Sequence, residues 1–213
     1  MATRGGRFIT FEGGEGCGKS TQVARLRAAL AERGVETVLT REPGGTRLAE
    51  QIRALLKDEL DDPPTDRSEL LLFLAARAQL VETVIRPALA AGKWVVSDRF
   101  SDSTLAYQGY GRGLPLDVIR RTNDFACGGL RPDLTLLLDV DPETARARMR
   151  GREAATLTAA DRIECAGDAF HARLREGFHA LAAAEPARIV TIDATGTPDA
   201  VWSRVWTSIS RFL

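Results

Sequence analysis

Residues Phe11–Thr21 read FEGGEGCGKST. Gly13, Gly14, Gly16 and Gly18 lead into Lys19, Ser20 and Thr21, and the spacing Gly13-x4-Gly18-Lys19-Ser20 is that of a phosphate-binding loop. Glycine lets successive backbone N–H groups turn inward with no Cβ in the way. The flanks supply the context that the pattern requires. Arg7–Glu12 is a short β-type run, and Lys19–Arg33 carries Val23, Leu26 and Leu30 at helical spacing before Gly34. A helix that begins at Lys19 aims its positive end at the loop. Lys19 would reach the outer phosphates, and Ser20 would offer a hydroxyl to Mg²⁺, a hard ion that takes oxygen ligands. Cys17 reads as a small side chain that fits the turn, with an activated thiol at a helix start as the alternative. Glu15 is the odd member. A carboxylate in a loop made for anions points to a second ligand beside the phosphates.

Composition narrows the partners. The chain of 213 residues carries 29 Lys and Arg against 29 Asp and Glu, a formal net charge of +0, which gives no support to nucleic-acid or membrane-surface binding. Lysine occurs only at Lys19, Lys57 and Lys93, so a lysine inside the loop is not background. Cys17, Cys127 and Cys165 are odd in number and widely spaced, unlike a disulfide framework or a zinc site. No apolar run approaches the ~20 residues of a membrane span, and the N-terminus lacks a signal-peptide core. The expectation is a cytoplasmic protein of one domain, residues 1–213.

Short apolar runs alternate with helical patterns. Strands are expected at Arg7–Glu12, Glu36–Thr40, Trp94–Ser97, Leu134–Leu138 and Arg188–Ile192. Helices are expected at Lys19–Arg33, Arg47–Leu56, Arg67–Ala91 with a kink at Pro87, Ser101–Gln108, Leu116–Ala126, from Pro142, Arg162–Ala184 and Pro198–Phe212, with Gly151–Ala160 irregular. The alternation implies a five-stranded parallel sheet with helices on both faces, the doubly wound α/β class. Ligands of such sheets bind at the carboxyl ends of the strands. Asp98 and Arg99 stand at such an end. Asp98 can orient Mg²⁺ or cap the strand, and Arg99 can grip a phosphate as a planar fork. Phe73 and Arg77 share a helix face, as do Thr104 and Gln108. Phe73 alone would read as core and Arg53 as a solvated helix charge. Arg146, Arg148, Arg150, Arg152 and Arg162 form a basic series that is either a solvated face or a set of charge stabilisers closing over a phosphoryl group.

A phosphate loop alone leaves kinases, ATPases and GTPases open. The single asparagine, Asn123 in TNDFA, offers no guanine-recognition motif. Three further stretches, TREPGGTRLAEQIR, LLFLAARAQLVE and VSDRFSDSTLAYQGYGRG, together with the loop resemble the thymidylate kinase family over nearly the whole chain. The resemblance implies a P-loop fold with a short mobile lid at about residues 148–162, transfer of the ATP γ-phosphate to dTMP with Mg²⁺, and a homodimer. Gly13 to Thr21 would bind ATP, with Ser20 and Asp98 at the metal. Arg53 and Arg99 would hold the dTMP phosphate, Phe73 would stack on thymine, and Arg77 would reach its O4. Ser103, Thr104 and Gln108 would lie near the acceptor, Tyr107 against the deoxyribose, and Glu42 and Pro43 along the same cleft. Glu15 would meet the 3′-hydroxyl. The family divides between a catalytic arginine in the loop and one in the lid. Gly16 at the loop position matches the lid type, which assigns catalysis to Lys19, Arg99 and the series Arg148, Arg150 and Arg152, with Arg152 favoured. The departure is EAATLTAA, which lengthens the lid. Rival readings are a kinase for another nucleotide or nucleoside, and a nucleotide binder without catalysis.

Overall fold

The computed structural model describes residues 5–57, 61–156 and 167–213, with the backbone alone for 152–156. Five strands, β1 (Phe8–Glu12), β2 (Thr37–Arg41), β3 (Trp94–Asp98), β4 (Leu134–Asp139) and β5 (Ile189–Asp193), form one parallel sheet in the order β2-β3-β1-β4-β5. The doubly wound α/β class is therefore as expected. The chain leaves β1 towards β2 and leaves β4 towards β5, in opposite directions. A crevice consequently opens at the carboxyl ends of these neighbours.

The strands are apolar on both sides because helices cover both. Ile9, Phe11, Val96 and Leu136 pack on one face with Leu26 and Leu30 of α1 (Lys19–Ala31) and Val205 of α9 (Pro198–Ile209). Phe8 and Val95 point the other way, to Leu80 and Ile85. Leu137 meets Leu174 and Phe178 of α8 (Asp168–Ala184) on that second face. Each fully buried leucine or phenylalanine contributes about 1.5–3 kcal/mol, so one sheet with two cores fixes the strand ends firmly.

Helices α2 (Arg47–Lys57) and α6 (Leu116–Cys127) lie close to their expected bounds. Three other expectations need correction. The stretch Arg67–Ala91 is not one kinked helix but α3 (Asp66–Leu80), a π turn at Val81–Ile85, and α4 (Arg86–Ala90). Pro87 has no N–H, and its ring crowds the carbonyl four residues back; the widened turn ahead of it relieves both. Ser101–Gln108 is likewise split into α5 (Ser101–Thr104) and a π turn at Leu105–Gly111. Gly151 does not break its helix, since α7 runs from Pro142 to Thr156. One glycine costs about 1 kcal/mol, and the Arg, Met, Glu and Ala around it favour the helix. Residues 157–160 of the expected irregular stretch, and 162–166 of the expected helix start, lie outside the described residues, as do Asp161, Arg162 and Cys165.

Candidate active site

The loop after β1 is pressed from two sides. Gly13 has φ +132°, and a Cβ there would stand 2.3 Å from the Leu138 carbonyl oxygen. Gly16 has φ +71°, and its Cβ would stand 2.4 Å from the Ala145 carbonyl oxygen. Both positions need glycine for conformation and for space. Lys19 Nζ folds back over the loop and donates to the Gly13 and Gly14 carbonyls at 3.1 and 2.8 Å. The Ser20 hydroxyl donates to Asp98 Oδ2 at 3.3 Å. Asp98 Oδ1 is buried and has no hydrogen-bond partner among the described residues. A hydroxyl and a half-used carboxylate side by side suit a hard divalent cation.

A cleft of about 560 Å³ opens between this loop, the ends of β2 and β3, and α3. The structure brings Glu15, Gly16, Gly18, Lys19, Ser20, Thr21, Glu42, Pro43, Arg53, Phe73, Asp98, Arg99, Ser103, Thr104, Tyr107, Gln108 and Arg148 to its wall. It also adds Arg41 and Lys57, which sequence reasoning missed. Lys57 lies one helical turn after Arg53, a spacing that would have signalled a shared face.

Arg99 is the hub of the far wall. Its Nη1 donates to the Gly13 carbonyl at 3.0 Å and to Ser103 Oγ at 3.3 Å, and its Nη2 donates to Glu15 Oε1. The guanidinium lies 4.9 Å from the centre of the Tyr107 ring. Burial works against its charge, but the carboxylates of Glu15 and Asp98, with the Tyr107 ring face against it, more than restore it and hold its pKa well above the ordinary value. The Tyr107 hydroxyl donates to Glu15 Oε1 at 3.5 Å. Glu15 therefore turns towards Arg99 and Tyr107. Burial pushes the Tyr107 pKa well up and keeps the phenol neutral. Arg53 donates to the Pro43 carbonyl at 2.8 Å, and Gln108 donates to Glu69 at 2.9 Å. Thr104 Oγ1 is buried without a partner among the described residues, a polar atom in the wall ready for a ligand.

Other expected site residues stand apart from this cleft. Arg77 lies beneath the wall, 1% exposed. Its Nε and Nη2 donate to Glu42 at 2.9 and 2.5 Å, its Nη1 to Asn123 at 2.6 Å, and its Nη2 also to the Phe100 carbonyl at 3.2 Å. Four of its five N–H groups are thus engaged within the protein. Gly13, Gly14 and Cys17 border a second cavity of about 320 Å³, shared with β4, α7 and α8. Arg150 is exposed on α7. Arg152 belongs to α7, but its side chain lies outside the described residues. Arg148, which lines the cleft itself, donates to the carbonyls of Gly16, Ala194 and Gly196 at 3.4, 3.0 and 3.3 Å, tying α7 to the phosphate loop and to the turn after β5. Asp139, at the end of β4, accepts two 2.8 Å bonds from Arg175 and serves as a structural partner.

A loop that cradles one set of phosphates and faces, across the same cleft, an arginine fitted for another is the arrangement of a P-loop nucleotide kinase. The family model described as thymidylate kinase matches residues 11–205. The thymidylate kinase of Solidesulfovibrio magneticus is 51% identical over 208 residues, covering 97% of this chain and 100% of that one. The thymidylate kinase of Synechococcus sp. (strain JA-3-3Ab) is 54% identical over 206 residues, covering 97% and 96%. The crystal structure of thymidylate kinase from Ehrlichia chaffeensis is similar at a TM-score of 0.76 and 37% identity, covering 96% of this chain and 99% of that one. The chain belongs to the thymidylate kinase family.

Proposed function

We propose that this protein transfers the γ-phosphate of ATP to dTMP, giving dTDP and ADP. The observation that carries the reading is one continuous cleft with Lys19, Ser20 and Glu15 on the loop side and Arg99 and Tyr107 on the other. ATP phosphates lie along the loop amides with Lys19 at the outer phosphates. Ser20 and Asp98 would hold Mg²⁺, which would draw charge from the phosphate oxygens when bound. The dTMP phosphate is an anion already and attacks without a general base. The work of the protein is to align the two phosphates and to stabilise charge in the transition state.

Arg99 and Arg53 grip the acceptor phosphate. When dTMP binds, its phosphate takes Arg99 Nη2 from Glu15, and Glu15 turns to the sugar hydroxyl. Phe73 covers the base, and the Thr104 hydroxyl and the remaining Arg77 N–H face its polar edge. Arg152 closes from the lid, about residues 148–162, to meet the moving phosphoryl group, with Arg150 second and Arg148 as the anchor of α7. The chain acts as one kinase domain in the cytoplasm, where Cys17 and Cys127 stay the free thiols they are in the structure. Among the described residues no helix is long and apolar enough to cross a membrane. Phe125 on α6 is 90% exposed, with Val118 on the same helix and Leu71 on α3 also bare. A second copy of this chain covers that apolar surface.

A coupled assay with dTMP, dUMP, dCMP, dGMP and thymidine tests the activity. Turnover should be highest with dTMP. Preference for another acceptor would assign a different kinase, and ATP binding without turnover of any acceptor would make the protein a nucleotide binder.

A further inference from the structure

Glu12 ends β1, one residue before the phosphate loop, and is 1% exposed. No step above uses it. Its Oε1 accepts from the Phe100 N–H at 2.8 Å, and its Oε2 accepts from the Ser103 hydroxyl at 2.5 Å. The Phe100 N–H belongs to the peptide unit that follows Arg99, the one non-glycine residue with positive φ (73°) among the described residues. A left-handed conformation costs an arginine about 1–2 kcal/mol and persists only where the surroundings hold it. Three bonds do so. The Arg99 N–H donates to Phe11 O at 2.9 Å, the Ser97 hydroxyl donates to Arg99 O at 2.6 Å, and Phe100 N–H donates to Glu12. The end of β3 makes the second, and Glu12 holds the N–H side of the same peptide unit whose carbonyl Ser97 holds. Its second contact continues through Ser103, whose oxygen also accepts from Arg99 Nη1.

We propose that Glu12 is a positioning residue for the acceptor-site arginine: it grips Arg99 by its backbone through Phe100 and by its guanidinium through Ser103, and so sets the fork that receives the dTMP phosphate. This rests on the reading of Arg99 as the ligand of that phosphate. The charged and titratable groups that face Glu12 are Asp102 on α5, Arg99 before it, Arg77 on α3 and Tyr107 in the π turn. Burial first, then Asp102, raise the Glu12 pKa to about 8, against Ser103, Arg99 and the Phe100 N–H. At neutral pH the raised pKa favours the neutral acid.

Steady-state kinetics of Glu12→Leu, Glu12→Gln and Arg99→Ala at pH 7 test this. Glutamine can accept from Phe100 and donate to Ser103, whereas leucine can do neither. The expected result is a dTMP KM raised at least ~30-fold in Glu12→Leu with the ATP KM within ~3-fold, and both constants within ~3-fold of wild type in Glu12→Gln. Equal movement of both KM values in Glu12→Leu, no movement, or glutamine as harmful as leucine would overturn the proposal. If Glu12→Leu does not fold, Glu12→Asp decides, because it is one methylene short of the Phe100 N–H. A ~5-fold rise confined to the dTMP KM supports the proposal, and an equal or absent effect on both overturns it. Arg99→Ala separates the two levels. An unchanged dTMP KM there sinks the acceptor-site reading, whereas a large rise there with none in the Glu12 series sinks only the role of Glu12.

Discussion

The two walls of the cleft are held in opposite ways. On the acceptor side, Arg77, Glu42, Glu12, Ser103, Gln108 and Glu69 are buried and bonded to one another or to the backbone. On the lid side, no residue of 142–151 is buried, and α7 meets the loop chiefly through Arg148 and the Ala145 backbone. The first wall is preorganised for a fixed ligand. The second rests on the loop through few contacts and presents its arginines on an exposed helix. Polar side chains are thus arranged in two different ways here, bonded beneath the first wall and exposed along the second.

The strongest way to break this contrast is to remove charge from the exposed side. Arg152→Ala should lower kcat at least ~10³-fold with the dTMP KM nearly unchanged, because an arginine that acts only in the transition state contributes little to ground-state binding. A loss under tenfold in steady-state assays would take the role from Arg152, and a larger loss in Arg150→Ala would hand it on. A smaller effect is expected at the junction of the walls. Glu15→Gln should weaken dTMP binding about 10-fold or more while ATP binding stays within ~3-fold, measured by calorimetry. Equal loss for both nucleotides would show that Glu15 merely shapes the loop.

The smallest effect is on stability and sharpens the picture of the rigid wall. The pKa of Glu12 is about 8 in the folded protein against an ordinary 4.5, so the folded state binds the extra proton between these values. Its contribution is full below pH 4.5 and is lost as pH rises through 8. Glu12→Gln has no such proton to lose. The stability of wild type relative to Glu12→Gln should therefore fall by about 1 kcal/mol or more between pH 5.5 and pH 8.5, read from urea midpoints. A flat difference would mean that Glu12 is ionised throughout.

Much of this was legible in the chain and some was not, for physical reasons. The phosphate loop and the strands are local features: glycine spacing and apolar runs carry their own geometry, and β1, β3 and β4 fall within a residue of expectation. The residues around Asp98 also line the cleft, because a strand end in a parallel sheet has only one place to point. Arg77 was different. Its spacing from Phe73 puts both on one helix side, but only the tertiary arrangement of Glu42, Asn123 and Phe100 draws the arginine under the wall. Glu12 was invisible for a related reason, since one carboxylate after an apolar strand looks like a solvated end until Phe100 and Ser103 are seen to close over it. The π turns carry no composition mark of their own, and α7 continues past Gly151 because the helix-forming residues around that glycine outweigh it.

Gly16 carries one more consequence. Its left-handed φ and the Ala145 oxygen 2.4 Å from a Cβ leave no room for a side chain while α7 is docked. An arginine grafted at that position would have to displace the first turns of α7 before it could reach a phosphate. A side chain at this loop position and a docked α7 are thus mutually exclusive on this backbone, and moving an arginine from the helix to the loop calls for rebuilding the helix rather than swapping two residues.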